Sequence, residues 1–182
     1  MTHFVGLVVA NDEDELEKML APYDEQLPGA PVFTPIKTET VGEWNEFESM
    51  AKAYGTDDVQ ELLKHMEEWN GGPGEIKDGV LGYYSTYNEN SKWDWYVVGG
   101  RWQDIVPSNE CLAEEVIGYF DKNLEADKPY IPSVVVDRKG WHTTKDFGWW
   151  GISTPVEGQE DVVKQKLEEH KGKKVFIVDF HI

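Results

Sequence analysis

Apolar positions along the chain change period several times, and each change marks an element. Residues 3–10, His-Phe-Val-Gly-Leu-Val-Val-Ala, are apolar without alternation, as expected of a central strand covered on both faces. Asn11 or Asp12 then caps a short helix with Leu16, Met19 and Leu20 turned inward, and Ala21-Pro22 ends it. Pro22, Pro28, Pro31 and Pro35 confine residues 22–36 to a structured loop or an edge segment. Helical spacing resumes over residues 41–54 through Trp44, Phe47, Ala51 and Tyr54, with Gly55 as the stop. Thr56 or Asp57 caps the next helix, whose stripe is Val59, Leu62, Leu63, Met66 and Trp69, and Asn70-Gly71-Gly72-Pro73-Gly74 terminates it.

A helix starting at Ser108 or Asn109 carries Leu112, Val116, Ile117, Phe120 and Leu124 on one face. Residues 131–138 and 140–144 read as two strands joined through Asp137-Arg138-Lys139-Gly140. Residues 157–170 form a last helix on Val163, Leu167 and His170, and residues 173–182 a last strand. No repeat and no linker divides the chain, so it reads as one domain over residues 1–182. The order of elements predicts an α+β fold, a single mixed sheet with amphipathic helices packed on it. Parallel placement of the first and last strands is expected, and a ferredoxin-like core with a helical insertion at 41–70 is one concrete version of the fold.

One segment exceeds what core-filling requires. Residues 91–102, Ser-Lys-Trp-Asp-Trp-Tyr-Val-Val-Gly-Gly-Arg-Trp, hold three tryptophans, a tyrosine, a glycine pair and an arginine. As a strand it places Trp93, Trp95 and Val97 on one face and Asp94, Tyr96 and Val98 on the other, and Gly99-Gly100 breaks the ladder. Two readings follow. Either the strand is buried and Arg101 pairs with an internal carboxylate such as Asp94 or Asp104, or a ligand pocket forms from Trp93, Trp95, Arg101 and Trp102 with His142 nearby, the guanidinium gripping an anion and an indole stacking a base.

This segment resembles a family of small proteins of bacteriophages and prophages of Gram-positive hosts, in which a Ser-Lys-Trp-Asp-Trp-Tyr element leads into Gly-Gly-Arg-Trp. Tyr84-Ser85-Thr86-Tyr87-Asn88, Gly148-Trp149-Trp150-Gly151 and the terminal Val178-Asp179-Phe180-His181-Ile182 are similar to the same pattern, which commonly has Cys in place of Phe180. The resemblance implies a mobile-element setting and carries over no catalytic residue.

Charge and chemistry narrow the functional classes. The net charge is −18, and residues 1–130 hold all of it, with 27 Asp plus Glu against 9 Lys plus Arg; residues 131–182 have 8 of each. Such a balance attracts basic partners and repels nucleic acid and anionic lipid, so direct nucleic-acid binding and membrane association are not expected. With Cys111 alone, a disulfide within the chain and a Cys-based zinc site are excluded. The N-terminal run lacks a basic flank and reads as a strand rather than a signal peptide, which fits the cytoplasm of a bacterial host cell. There is no P-loop, G-x-G-x-x-G or H-E-x-x-H, and no cofactor is expected. Asp179 and His181 share a strand face, and His3 joins them if the first and last strands pair, an alternative metal set for a metal-assisted hydrolase. The leading expectation is a non-enzymatic binding protein that inhibits a basic, nucleic-acid-handling host defence protein, such as a nucleic-acid-guided nuclease or a restriction enzyme. Its partner-facing residues would be Glu43, Glu46, Asp58, Glu61 and Glu68 on the outer helix faces. A small-molecule or nucleotide binder built on the aromatic segment is the competing class.

Overall fold

The computed structural model describes residues 2–39, 45–103, 106, 108–123, 132–147 and 152–182. The chain forms two compact units: residues 1–26 with 88–182, and residues 27–87.

The larger unit is built on a six-stranded mixed sheet. Its strands are β1 (His3–Val9), β5 (Trp95–Val98), β6 (Glu110–Leu112), β7 (Val134–Asp137), β8 (Gly140–Thr143) and β11 (Lys174–His181). They lie in the order β5-β11-β1-β7-β8, and β6 pairs with the same strand as β5, β11. A separate two-stranded sheet joins β9 (Lys145–Phe147) to β10 (Ser153–Pro155). The first and last strands do pair, but antiparallel, with His3 opposite His181 and Val5 opposite Asp179. The parallel neighbour of β1 is β7. In a ferredoxin-like core the second strand of the central hairpin lies beside the first strand; here the first hairpin strand, β7, takes that place and β8 lies outside it.

Both faces of β1 are covered, which is why its sequence shows no alternation. On one face, Val5, Leu7 and Val9 pack with Val175 and Ile177 beneath α5 (Ala113–Asn123) and α6 (Val162–Glu169), through Val116, Ile117, Val163 and Leu167. On the other, Phe4, Val8, Val178 and Phe180 meet Leu16 and Leu20 of α1 (Glu13–Leu20), whose cap Asp12 accepts from the Glu15 N–H. The helix expected to begin at Ser108 or Asn109 starts instead at Ala113, because residues 110–112 join the sheet as β6. Cys111 is therefore a buried strand residue, its thiol pushed up first by burial and then by Glu115 and Glu110, only partly offset by the Ser108 backbone.

The smaller unit combines three helices, α2 (Glu46–Tyr54), α3 (Val59–Leu63) and α4 (Met66–Asn70), with a three-stranded sheet. β2 (Val32–Pro35) and β3 (Gly74–Lys77) flank β4 (Val80–Ser85), so the proline-rich segment is an edge strand. Leu62, Met66 and Met50 are buried against Leu81 and Ile36, with Val59, Leu63 and Trp69 packed around them. Where one mixed sheet was expected, the described residues form three sheets, and the insertion carries its own strands beyond the helices at 41–70. The start of that insertion, with Trp44, lies outside the described residues. Among the described residues no helix is long and apolar enough to cross a membrane.

Candidate functional site

The signature segment and the terminal strand meet at one end of the main sheet. Strand geometry begins only at Trp95, opposite His181, while Val97 lies opposite Asp179. Trp93 precedes the strand at an isolated bridge to Asp24 and turns into the core, edge-on to Tyr96. Period-two alternation across 93–98 therefore fails at its first step: Trp93 and Trp95 do not share a face.

After β5 the chain must reverse within two residues, and Gly99 and Gly100 supply it with φ of 77° and 55°. Space demands glycine as well: a Cβ on Gly100 would stand 2.5 Å from the Asp179 Cβ, and one on Gly99 equally close to the Asn109 side chain. The close approach wraps residues 101–102 around the Asp179 carboxylate. The Trp102 indole N–H donates to Oδ1 at 2.9 Å, and His3 Nδ1 lies 3.0 Å from the same oxygen. The Arg101 backbone N–H donates to Oδ2 at 3.3 Å, with its guanidinium Nε at 3.4 Å. The internal partner of Arg101 is thus Asp179. Asp94 faces His181 instead, at 2.5 Å, and Asp104 lies outside the described residues.

Much of this cluster is covered. Asp179, His181 and Trp93 are buried, and Trp102 is half-buried against the core. Beside Asp94, three larger side chains remain open: Trp95 is 43% exposed, Val97 44%, and the Arg101 side chain 54%. Trp95 is nonetheless oriented, stacked on His181 at 4.9 Å with His3 edge-on at 5.2 Å. β5 closes one end of the strand order, so among the described residues its outer backbone has no neighbouring strand. The surroundings are acidic on both faces. Asp94 stands beside Trp95, and on the other face the Tyr96 phenol is pushed up by burial first and then by Glu17, Glu13 and Asp24.

The three residues of the alternative metal set do come together, but as hydrogen-bonded groups. The Asp179 carboxylate is engaged by His3, Trp102 and Arg101, and His181 Nδ1 by Asp94. Among the described residues, metal-ligand spacing occurs elsewhere, at Asp137, Glu169 and His170. There the Lys166 ammonium lies 3.1 Å from Glu169 and 3.7 Å from Asp137, with Lys139 3.7 Å from Glu169, so two cations already serve these carboxylates.

Asp137 itself is a second cluster. Its carboxylate is buried and accepts the Lys139 N–H at 2.8 Å, with His142 Nε2 2.8 Å from Oδ1 and His170 Nε2 2.9 Å from Oδ2. Burial alone would raise this carboxyl; the hydrogen bonds from His170, His142 and Lys139 outweigh it and hold the group far below the ordinary carboxylate range. The charged form is thus favoured by folding, and its stabilisation is complete above the ordinary aspartate value near pH 4 and fades as pH falls below it. Asp137→Asn should remove about 2 kcal/mol at neutral pH and flatten the acid limb of stability between about pH 4 and pH 2, measured by denaturant unfolding across pH. His142, expected beside the aromatic pocket, belongs to this cluster and not to the Gly-Gly turn. His170, expected only as part of a helix stripe, was legible as apolar spacing but not as a partner of the hairpin Asp.

The expected partner-facing carboxylates lie in the smaller unit and mostly serve local structure. Asp58 caps α3 through the Gln60 and Glu61 N–H groups, and Glu46 accepts the Lys37 N–H at 3.0 Å. Glu61 pairs with Lys64 at 2.6 Å, and Glu68 lies 4.0 Å from His65. Glu43 is outside the described residues. Compared with known proteins, the chain matches no family model, no curated protein and no solved structure.

Proposed function

We propose that this chain is an acidic binding protein of a mobile element that inhibits a basic, nucleic-acid-handling host protein, of the class of nucleic-acid-guided nucleases and restriction enzymes. The observation that carries the reading is the open edge of β5: Trp95, Val97 and Arg101 stand exposed on a segment whose other bulky members are locked in place. Tryptophan and arginine are the residues most enriched at the energetic centres of interfaces, and a rigidly stacked indole loses little entropy on binding. An extended basic segment of the partner adds to β5 by strand pairing, its cations meeting Asp94, Glu13, Glu17 and Asp24.

Long-range charge supports the same partner. The smaller unit carries 11 Asp plus Glu against 4 Lys plus Arg, and the larger 24 against 13, so both units are acidic. Channels that hold nucleic acid are lined with Lys and Arg, and a negative surface raises the encounter rate with them. Under this reading the helix carboxylates steer and the edge strand anchors. A charge-reversed variant carrying Glu61→Lys, Glu67→Lys and Glu68→Lys, with the structural Asp58 and Glu46 retained, should keep its melting temperature and associate at least about tenfold more slowly at 0.1 M salt. An unchanged association rate would remove the steering role.

A further inference from the structure

A cleft of about 290 Å³ opens where β1 and β7, the only parallel pair of strands among the described residues, end, beyond Val9 and Asp137. In sheets with parallel strands, ligands gather in the crevice outside the carboxyl ends. The floor is apolar, Val9 and Ala10, and the rim is polar: Glu15, Arg138, Lys139, His170 and Lys173 surround it with Asp137 behind.

The carboxylates at this cleft are already committed. Glu15 accepts from the Asn11 N–H at 2.8 Å and from Arg138, whose Nη2 lies 2.6 Å away. Asp137 is saturated on both oxygens by His142, His170 and the Lys139 N–H. A carboxylate only accepts, so each imidazole presents N–H from Nε2 to Asp137, and His170 is held with its ring fixed at the cleft wall. The cations are less committed. The Lys139 ammonium reaches Glu169 only at 3.7 Å, and Lys173 has no ion pair among the described residues. Five of the nine lining residues come from the neutral part of the chain, residues 131–182, which holds 8 of the 17 Lys and Arg.

We propose that this cleft is an oxyanion site that takes a phosphate group through the Lys139 and Lys173 ammonium groups, beside the His170 ring that Asp137 holds in place. Charge-assisted hydrogen bonds from two ammonium groups over an apolar floor suit the acceptor oxygens of a phosphate. The site is distinct from the β5 edge and does not rest on the partner reading.

The test is titration of the full-length ¹⁵N-labelled protein with inorganic phosphate, against chloride at equal ionic strength. Saturable amide shifts confined to residues 9–11, 137–139 and 170–173, with a dissociation constant of about 1 mM, are expected. The Lys139→Ala/Lys173→Ala double variant, altered only at exposed side chains, should bind at least about tenfold more weakly with an unchanged melting temperature. Lys145→Ala should bind as the wild type does. Shifts that do not saturate, that match those with chloride, or that persist in the double variant would overturn the assignment, as would saturable binding of zinc at Asp137, Glu169 and His170 with none of phosphate.

Discussion

Asp179→Ala should be the most destabilising single change in the signature cluster, lowering unfolding free energy by about 3 kcal/mol. The carboxylate is buried and gathers groups from two separate parts of the chain: His3 on β1, and the Arg101 N–H and Trp102 indole after β5. Removing it leaves the indole N–H and the imidazole of His3 without their acceptor in a packed setting, and each such loss costs about 1–3 kcal/mol. The Arg101 guanidinium adds little, since more than half of that side chain is exposed and water replaces the lost partner. Arg101→Ala should therefore cost under about 1 kcal/mol, because Asp179 keeps three other donors. Chemical denaturation of both variants separates these values. Equal losses would mean that the ion pair, and not the wrapped turn, holds the cluster.

Trp95→Ala should act the other way, with little change in stability and a large loss of binding. The indole packs on His181 by one ring face and leaves 43% of its surface open, so truncation forfeits stacking worth about 0.5–1.5 kcal/mol and creates no closed cavity. As the centre of the proposed interface the same residue should carry 2 kcal/mol or more, about a thirtyfold loss of affinity for the proposed nuclease partner. Calorimetric melting of the variant together with its equilibrium binding to the purified nuclease checks both halves. A collapsed melt would place Trp95 in the core instead.

The sequence foretold elements better than contacts. β1, β11, the β7–β8 hairpin and the stripes of α1 and α3 with α4 were legible because covered strands and amphipathic helices write their burial into apolar spacing. Residues 74–85 were not recognised as β3 and β4, since Gly74, Gly79 and Gly82 interrupt a pattern that a short hairpin scarcely establishes. The direction of β11 relative to β1 was also out of reach, because periodicity reports which face is buried and not which way the neighbour runs. At the site, the glycine pair announced a tight approach, but its target did not: Asp179 is 79 residues beyond Gly100, and only pairing of β5 with β11 joins them. His170 and Asp137 are likewise united by the packing of α6 on the hairpin, which no local motif encodes.

Amide hydrogen exchange of the protein alone and saturated with a purified nucleic-acid-guided nuclease of the host tests the central claim most directly. Among the described residues the outer backbone of β5 has no neighbouring strand, so strand addition should slow exchange at residues 95–98 at least about tenfold, with smaller changes at α2–α4. Binding with strong protection over α2–α4 and none at β5 would contradict the edge-strand account and return the interface to the acidic helices; no binding to the nuclease would contradict the proposed partner itself.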